Sequence, residues 1–242
     1  MSTREEILND IRNILKNKDK SEYEDAADRL PPPLENIMPV IPPMELAERL
    51  ESELKGLGCA TYRAATFSSL EEILRSILDS KHAQSVVVSR NPILGQLKIA
   101  SVLRGWGITV SQWPANVAGD EESGNFRDKC FAAAAGITGV DFALAETGSL
   151  VLTSFTEGSQ LTSLAPPIHI ALYRHSQIRA SLDEVLRNLP VSRDPERPSP
   201  ARSAVFITGT SRTADIEQVL VRGVHGPREV HAILVEESCL AE

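Results

Sequence analysis

The sequence predicts an α/β protein with a mostly parallel central sheet that is covered on both faces. Short apolar runs rich in β-branched residues, such as Val86-Val87-Val88, are typical of strands buried on both faces. Helical patterns separate these runs, as the crossover connections of parallel strands require. The chain has 242 residues, of which 42% are apolar, so it can bury one sizeable core.

Residues 1–43 are predicted to form an N-terminal helical arm and a proline-rich connector. Ser2 and Thr3 each stand three residues before a glutamate, and this capping-box signal opens an amphipathic helix that runs to about Leu15. Residues 16–29 are mostly charged and residues 30–43 are rich in proline, which indicates an extended connector. Residues 44–242 then form the α/β domain.

The first part of this domain alternates helices and strands. The predicted elements are a helix (44–56), a strand (59–65), a helix (68–81), a strand (85–89), a helix from Pro92 to just before Gly105, and a strand (108–110). Gly58 ends the first of these helices, and Pro92 suits the first turn of the third.

The second part is denser in glycine. Its predicted elements are a helix (130–135), strands (142–145, 149–153 and 168–173), a helix (181–189), a loop (190–203), a strand (204–208), a helix or helical turn (215–221) and a last strand (230–235).

Composition narrows the class of protein. A formal net charge of −8 argues against nucleic acid and anionic membrane surfaces as partners, and 5% aromatic residues argue against base stacking. No run approaches the roughly 20 apolar residues of a membrane span, and the N-terminus lacks the apolar core of a signal peptide. We therefore expect a cytoplasmic protein.

Familiar cofactor and catalytic motifs are absent. Cys59, Cys130 and Cys239 lie far apart with no C-x-x-C, so their spacing supports neither a zinc site nor an iron–sulfur cluster. The sequence also lacks a Walker A loop, a G-x-G-x-x-G motif, a G-x-S-x-G elbow and an H-E-x-x-H motif. We assign no metal ligand and leave the cofactor open.

Glu146 lies between two apolar runs, near the end of the stretch 136–149, and Thr147 and Gly148 follow it. A carboxylate in such a place is costly unless it is paired, so it is a candidate acid, base or ligand-orienting group. The alternative is a surface glutamate at the tip of a hairpin.

Residues 209–217 follow a predicted strand and are rich in glycine, serine and threonine. Backbone N–H groups and the hydroxyls of Ser211 and Thr213 could bind phosphate or carboxylate there. Alternatively, these hydroxyls cap a helix, and Asp215 and Glu217 complement its dipole.

His225 precedes Gly226-Pro227 in a tight turn before the last strand. A histidine in this position could donate to a bound anion or move a proton, although a loop histidine can equally be solvated.

Four stretches in order resemble the LutC/YkgG family, whose LUD domain is named for lactate utilisation. They are GITGVDFALAETGSLVL (136–152), SLAPPIHIAL (163–172), SRTADIEQVLVRGVHGP (211–227) and VHAILVE (230–236). Thr210 stands where the family usually has proline, Ser149 where it favours threonine, and residues 157–160 lack an expected arginine.

The resemblance implies a three-layer fold like that of the NagB/RpiA/CoA-transferase group. It also implies L-lactate oxidation to pyruvate together with two iron–sulfur companion proteins, this chain being the subunit without clusters. A small organic acid is then the expected ligand. In the cleft that we predict, the catalytic residues are Glu146, Asp215, Glu217 and His225, and the anion- or substrate-binding residues are Thr147, Gly148, Ser211, Thr213 and Gly226.

Two other functions stay open on the sequence. One is a stand-alone enzyme acting on a sugar phosphate or an acyl-CoA, which the related fold permits. The other is a regulatory or scaffold protein that senses an organic acid.

Overall fold

The computed structural model describes residues 4–17, 40–113, 120–190, 201–213, 221–223 and 225–240. Helix α1 (Arg4–Asn17) lies in one compact unit, and the chain from Val40 onward forms another. Glu5 and Glu6 stand in the first turn of α1, where acidic side chains favour the helix dipole. The capping residues Ser2 and Thr3 lie outside the described residues, and the domain boundary after residue 43 stays a prediction.

The larger unit contains the following helices and strands. The helices are α2 (Leu46–Gly56), α3 (Phe67–Ser80), α4 (Pro92–Gln96), α5 (Ile99–Gly105), α6 (Asp120–Ala132), α7 (Ser154–Glu157), α8 (Leu161–Leu164) and α9 (Leu182–Asn188). The strands are β1 (Ala60–Ala64), β2 (Ser85–Val88), β3 (Thr109–Gln112), β4 (Ala135–Thr138), β5 (Phe142–Leu144), β6 (Ser149–Thr153), β7 (Ile168–Tyr173), β8 (Ile178–Arg179), β9 (Ala204–Ile207), β10 (Arg212–Thr213), β11 (Val221–Arg222) and β12 (Glu229–Val235).

The central sheet has six strands in the order β1-β12-β7-β4-β2-β3, and every neighbouring pair is parallel. Its inner strands are buried on both faces, as β7 shows: Ile170 and Leu172 belong to one hydrophobic cluster, and Ala171 and Tyr173 belong to the other. Near-continuous apolar strands of this kind are expected when both faces are covered. The predicted α/β class is confirmed.

Helices α3, α4 and α5 cover one face of the sheet, with Leu74, Ile93 and Leu103 in the shared core. Leu50 and Leu54 of α2 pack on the other face. A second sheet, in the order β8-β5-β6-β9, packs there too, and Leu150 and Leu152 of β6 join the same cluster as α2. The result is three layers around the central sheet.

The predicted helix over residues 130–135 is wrong at its end. Helix α6 stops at Ala132, and Ala135–Thr138 forms β4 in the middle of the sheet, paired with β2 and β7. A Cβ on Gly136 would lie 1.8 Å from the carbonyl oxygen of Thr162 in α8. Glycine is therefore needed here for close packing, which local helix propensity does not reveal.

The predicted helix over residues 215–221 falls mostly outside the described residues. Its last residue, Val221, lies in the short strand β11, which pairs with β10 in an antiparallel ribbon. At that residue the prediction of helix is wrong.

The order of the strands opens a crevice between β2 and β4. After β2 the chain moves outward to the edge strand β3, whereas after β4 it moves the opposite way, to β7 and then β12. The connection after β2 packs on one face and the connection after β4 on the other. Ligands of open α/β sheets bind at such a switch point, beyond the carboxyl ends of the strands.

Candidate functional site

A cleft of about 210 Å³ lies at this switch point. The segments that follow β2, β4 and β7 line it together with one residue of α7. Its walls are formed by Asn91, Pro92, Ile93, Val140, Asp141, Thr156, Arg174, Ser176 and Gln177.

Glu157 lies fully buried next to this cleft, with 0% of its surface exposed. The Ser89 hydroxyl donates to its Oε2 at 2.5 Å, and the Asn91 side-chain amide donates to its Oε1. Burial raises the pKa of Glu157 to about 7, partly offset by the bonds from Ser89 and Asn91, and nearby Asp141 raises it further. The carboxyl group can therefore hold or release a proton near neutral pH.

Asp141 is the second carboxylate of the site, and it faces the cleft directly. The Thr153 backbone N–H donates to its Oδ2 at 2.6 Å, and the Thr156 hydroxyl donates to the same atom at 2.8 Å. The Thr156 hydroxyl also lies 3.4 Å from Glu157 Oε1, so it links the two acids. Desolvation raises the pKa of Asp141 above its usual value, although these hydrogen bonds oppose the shift.

Arg174 brings a positive charge to the same cleft from the end of β7. Its Nη2 donates to Gln96 Oε1 at 2.6 Å, while its Nε is buried and has no hydrogen-bond partner among the described residues. Gln177 accepts from the Arg174 backbone N–H at 2.9 Å and donates to the Val140 carbonyl. These bonds tie the loops after β4 and β7 together.

Because Gly139 has no side chain, the Asn91 amide has room to reach the carboxylate of Glu157. A Cβ on Gly139 would lie 2.2 Å from the side-chain carbon of Asn91, so any other residue would displace that amide. Asn91 Oδ1 also accepts from the Ile93 backbone N–H at 3.2 Å, which caps α4.

Of the residues predicted from sequence, Glu146, Thr147 and Gly148 form the turn between β5 and β6. Gly148 has φ +65°, and a Cβ there would lie 2.9 Å from the Glu53 backbone in α2. The Thr147 hydroxyl lies 2.7 Å from that of Ser149. Glu146 is partly exposed and has no hydrogen-bond or ion-pair partner among the described residues.

The loops around Ser211 and Gly226 do converge. The Ser211 backbone N–H donates to the Pro227 carbonyl at 3.0 Å, and its carbonyl accepts from Gly223 at 3.0 Å. A Cβ on Gly226 would lie 3.3 Å from Ser211 Cβ. These loops stand just before β12, at the opposite end of that strand from the switch-point edge.

In the described part of the chain, no side-chain hydrogen bond or ion pair joins the remaining predicted residues to Ser211 or Gly226. His225 is exposed, and Thr213 lies in β10 with its side chain outside the description. Asp215 and Glu217 lie outside the described residues. A hydroxyl chain does link the Glu146 turn to the segment before Ser211, because Ser149 lies 2.6 Å from Thr208. That these residues form one cleft stays a prediction.

The sequence reasoning missed Asn91, Asp141, Glu157 and Arg174 as candidate functional residues. One signal was present for Asn91, since polar residues directly after the apolar strand β2 must stand at the ligand-binding edge of the sheet. Glu157 gave no such signal, because its surroundings come from residues remote in the chain.

A larger depression of about 590 Å³ opens before β2 and β3, lined by Arg75, Asp79, His82 and Trp106 among others. Its charged residues are exposed, and Arg75 lies over the Trp106 ring at 4.9 Å. We favour the smaller cleft because the partly buried Asp141 and the buried Glu157 lie with an arginine at the carboxyl ends of the strands.

None of the helices described is long and apolar enough to cross a membrane. Over the residues that the structure describes, no group of three or more His, Cys, Asp or Glu side chains could hold a metal ion.

The fold and the cleft define an α/β protein with an open parallel sheet and a small cleft at its switch point. The LUD domain pattern matches residues 47–235, so the chain belongs to the LUD domain family and the resemblance to its LutC members is confirmed. Lactate utilization protein C of Halalkalibacterium halodurans is 32% identical over 168 residues, covering 69% of this chain and 70% of that protein.

Two further comparisons agree with this family. Lactate utilization protein C 1 of Bacillus mycoides is 31% identical over 196 residues, covering 80% of this chain and 77% of that protein. The crystal structure of a DUF162 family protein from Deinococcus radiodurans matches with a TM-score of 0.55 and 22% identity, covering 81% of this chain and 99% of that one. This last likeness shows the shared fold.

Proposed function

We propose that this protein serves lactate utilisation, as the subunit without clusters of a cytoplasmic system that oxidises L-lactate to pyruvate. The observation that carries the proposal is the LUD domain match over residues 47–235, together with relatives named lactate utilization protein C along most of the chain. In this proposal two iron–sulfur companion proteins carry the clusters. The three cysteines of this chain are buried and far apart in sequence, which suits that division.

Two regions are candidates for the functional site. The switch-point cleft offers Arg174, Asp141 and the buried Glu157. In the second region, Ser211 and Thr213 would hold a carboxylate or phosphate beside Gly226, supported by His225. Glu146 or Glu217 would orient or exchange a proton next to Thr147, Gly148 and Asp215. The convergence of Ser211 with Gly226 supports this second arrangement.

Growth on L-lactate as sole carbon source tests the function. We expect a strain that lacks this gene to lose growth and to regain it with the wild-type chain. An Asp128→Ala chain is the control, because Asp128 is exposed and pairs only with its neighbour Arg127 among the described residues. Unimpaired growth of the deletion strain, with no second copy or alternative lactate dehydrogenase, would contradict the proposal.

Complementation with variants separates the two regions. If the second region is the site, an Asp215→Ala/Glu217→Ala chain fails to restore growth although it accumulates normally. If the double variant restores growth as well as Asp128→Ala does, these two residues are not required. The Arg174→Gln chain reports on the switch-point cleft in the same assay.

The subunit assignment has its own test. We expect the purified chain to show no L-lactate oxidation by itself with an artificial electron acceptor, and to co-purify with the two companions. Turnover by the chain alone would favour the stand-alone enzyme, and ligand binding without any effect on lactate growth would favour the sensor.

A further inference from the structure

We propose that the switch-point cleft binds a small 2-hydroxycarboxylate. Arg174 holds the ligand carboxylate, and the ligand hydroxyl donates a hydrogen bond to Asp141. This inference deepens the proposed function, on which the choice of L-lactate as the probe rests. It assigns the ligand to the cleft between β2, β4 and β7 rather than to the Ser211 region.

The first support is the positive charge of Arg174, which lines the cleft. Its Nη2 is engaged by Gln96 at 2.6 Å, and its backbone N–H is engaged by Gln177 at 2.9 Å. Its Nε is buried without a partner among the described residues, and such a donor costs free energy until something accepts from it. A carboxylate suits the planar guanidinium better than any neutral acceptor does.

The second support is the orientation of Asp141. Thr153 and Thr156 hold its carboxylate in place while it still faces the cleft. An ionised carboxylate can only accept hydrogen bonds, so it selects ligands that offer a donor. A hydroxyl next to the ligand carboxylate supplies that donor, whereas the keto group of a 2-oxo acid does not.

The third support is size. The cleft holds about 210 Å³, below the roughly 300 Å³ at which sites for drug-sized ligands begin. An acid of three or four carbons suits this space, but a sugar phosphate or an acyl-CoA would extend beyond it.

Glu157 is a positioning residue in this arrangement. It does not line the cleft, but it holds the Asn91 amide on one side and contacts the Thr156 hydroxyl on the other, at 3.4 Å. Both partners line the cleft, so the buried acid fixes this part of the cleft wall through them. Thr156 is also the group that joins Glu157 to Asp141.

Calorimetric titration of the purified full chain with L-lactate, pyruvate and propionate tests the inference. We expect L-lactate to bind roughly tenfold or more tightly than propionate or pyruvate, since one charge-assisted hydrogen bond is lost in each analogue. Arg174→Gln should weaken L-lactate binding by at least about tenfold. Asp141→Asn should weaken the preference for L-lactate over propionate while propionate still binds, because a neutral amide oxygen accepts a weaker hydrogen bond than a carboxylate does.

Matched controls are Arg104→Gln and Asp128→Asn, which alter exposed residues away from the cleft and should leave all three affinities unchanged. Equal binding of L-lactate and propionate by the wild-type chain, or no binding of either, overturns the inference without any need for a variant. An equal loss of L-lactate affinity in Arg104→Gln and Arg174→Gln also overturns the inference. A strain that needs this chain for growth on L-lactate, while the pure chain binds none of the acids, would leave the proposed function standing and remove this site.

Discussion

The side-chain amide of Asn91 donates a hydrogen bond to the buried carboxylate of Glu157, which lies 66 residues further along the chain. Asn91 follows β2 and Glu157 ends α7, so this bond joins the two connections that leave the switch point on opposite faces. Ser89 supports the same carboxylate, and Gly139 leaves room for the amide. The bond therefore organises the cleft, and the stability of the protein should depend on the charge of Glu157.

Replacement of Glu157 by glutamine should change how stability depends on pH. The pKa of Glu157 is raised to about 7 in the folded protein from 4.5, so the folded state binds the proton more tightly than the unfolded state. The stability that this proton contributes is complete below pH 4.5 and is lost as pH rises through 7. Between pH 5 and 8 the wild type should lose about 2 kcal/mol relative to Glu157→Gln.

Urea unfolding of both proteins at several pH values measures this difference, because every other titrating group is common to them. Parallel stability curves from pH 5 to pH 8 would show that the buried carboxyl group does not titrate in this range. A steeper loss in the variant would reverse the sign that burial predicts.

His169 should produce the opposite slope. It is fully buried, with Nε2 2.8 Å from the Thr138 hydroxyl and Nδ1 without a partner among the described residues. Burial lowers the pKa of His169 to about 3, and His231 lowers it further. The neutral imidazole therefore contributes fully to the free energy of unfolding above pH 6.5, and this contribution is lost as the pH falls toward 3.

From pH 7 to pH 5, the wild type should thus lose about 2 kcal/mol that a His169→Gln variant does not lose. The glutamine amide can still bond to Thr138, which keeps the substitution conservative. Thermal melts at pH 5, 6 and 7 provide the measurement. If the melting temperatures of the two proteins shift together, burial does not hold the His169 imidazole neutral.

Gly136→Ala should strongly destabilise the protein. The new methyl would fall 1.8 Å from the Thr162 carbonyl oxygen, inside the most central part of the sheet. Because the methyl would be fixed to the backbone of β4 and the oxygen belongs to the backbone of α8, neither can move aside easily, and we expect a loss of about 3 kcal/mol or more. The matched control is Gly56→Ala on the exposed side of α2, where nothing lies within 4 Å and where alanine should add up to about 1 kcal/mol. Similar unfolding midpoints for the two variants would contradict the packing of α8 on β4.

Ser149→Ala should interrupt the hydroxyl chain from Thr147 to Thr208. Ser149 is buried and lies 2.7 and 2.6 Å from these two hydroxyls. Loss of the bridge should cost about 1 kcal/mol, measured by urea unfolding. Ser101→Ala changes an exposed serine on α5 and should stay within about 0.5 kcal/mol of the wild type. An equal effect of both substitutions would mean that the chain of hydroxyls contributes nothing to stability.

The family and the fold class could be predicted from the sequence because both depend on local motifs and hydrophobic patterns. Val86-Val87-Val88 and the run from Ile168 to Tyr173 predicted strands that the structure contains. A helix begins at Pro92 as predicted, but the single helix expected up to Gly105 is divided into α4 and α5. The predicted strands on either side of Glu146 are also present as a hairpin. This hairpin pairs with β8 and β9 in a separate sheet. The sequence could not predict that pairing, because the hydrophobic pattern of a strand does not determine which strand it pairs with.

Local patterns therefore determined most of the helices and strands, and the order of four motifs determined the family. Only the tertiary structure decided that Ala135–Thr138 is a central strand, since close packing by Thr162 outweighs helix propensity there. It alone decided that Glu157 is a buried acid with a raised pKa, because the burial that raises the pKa outweighs the hydrogen bonds from Ser89 and Asn91, which lower it. Burial and protonation depend on what packs around a group, and that is a property of the whole fold.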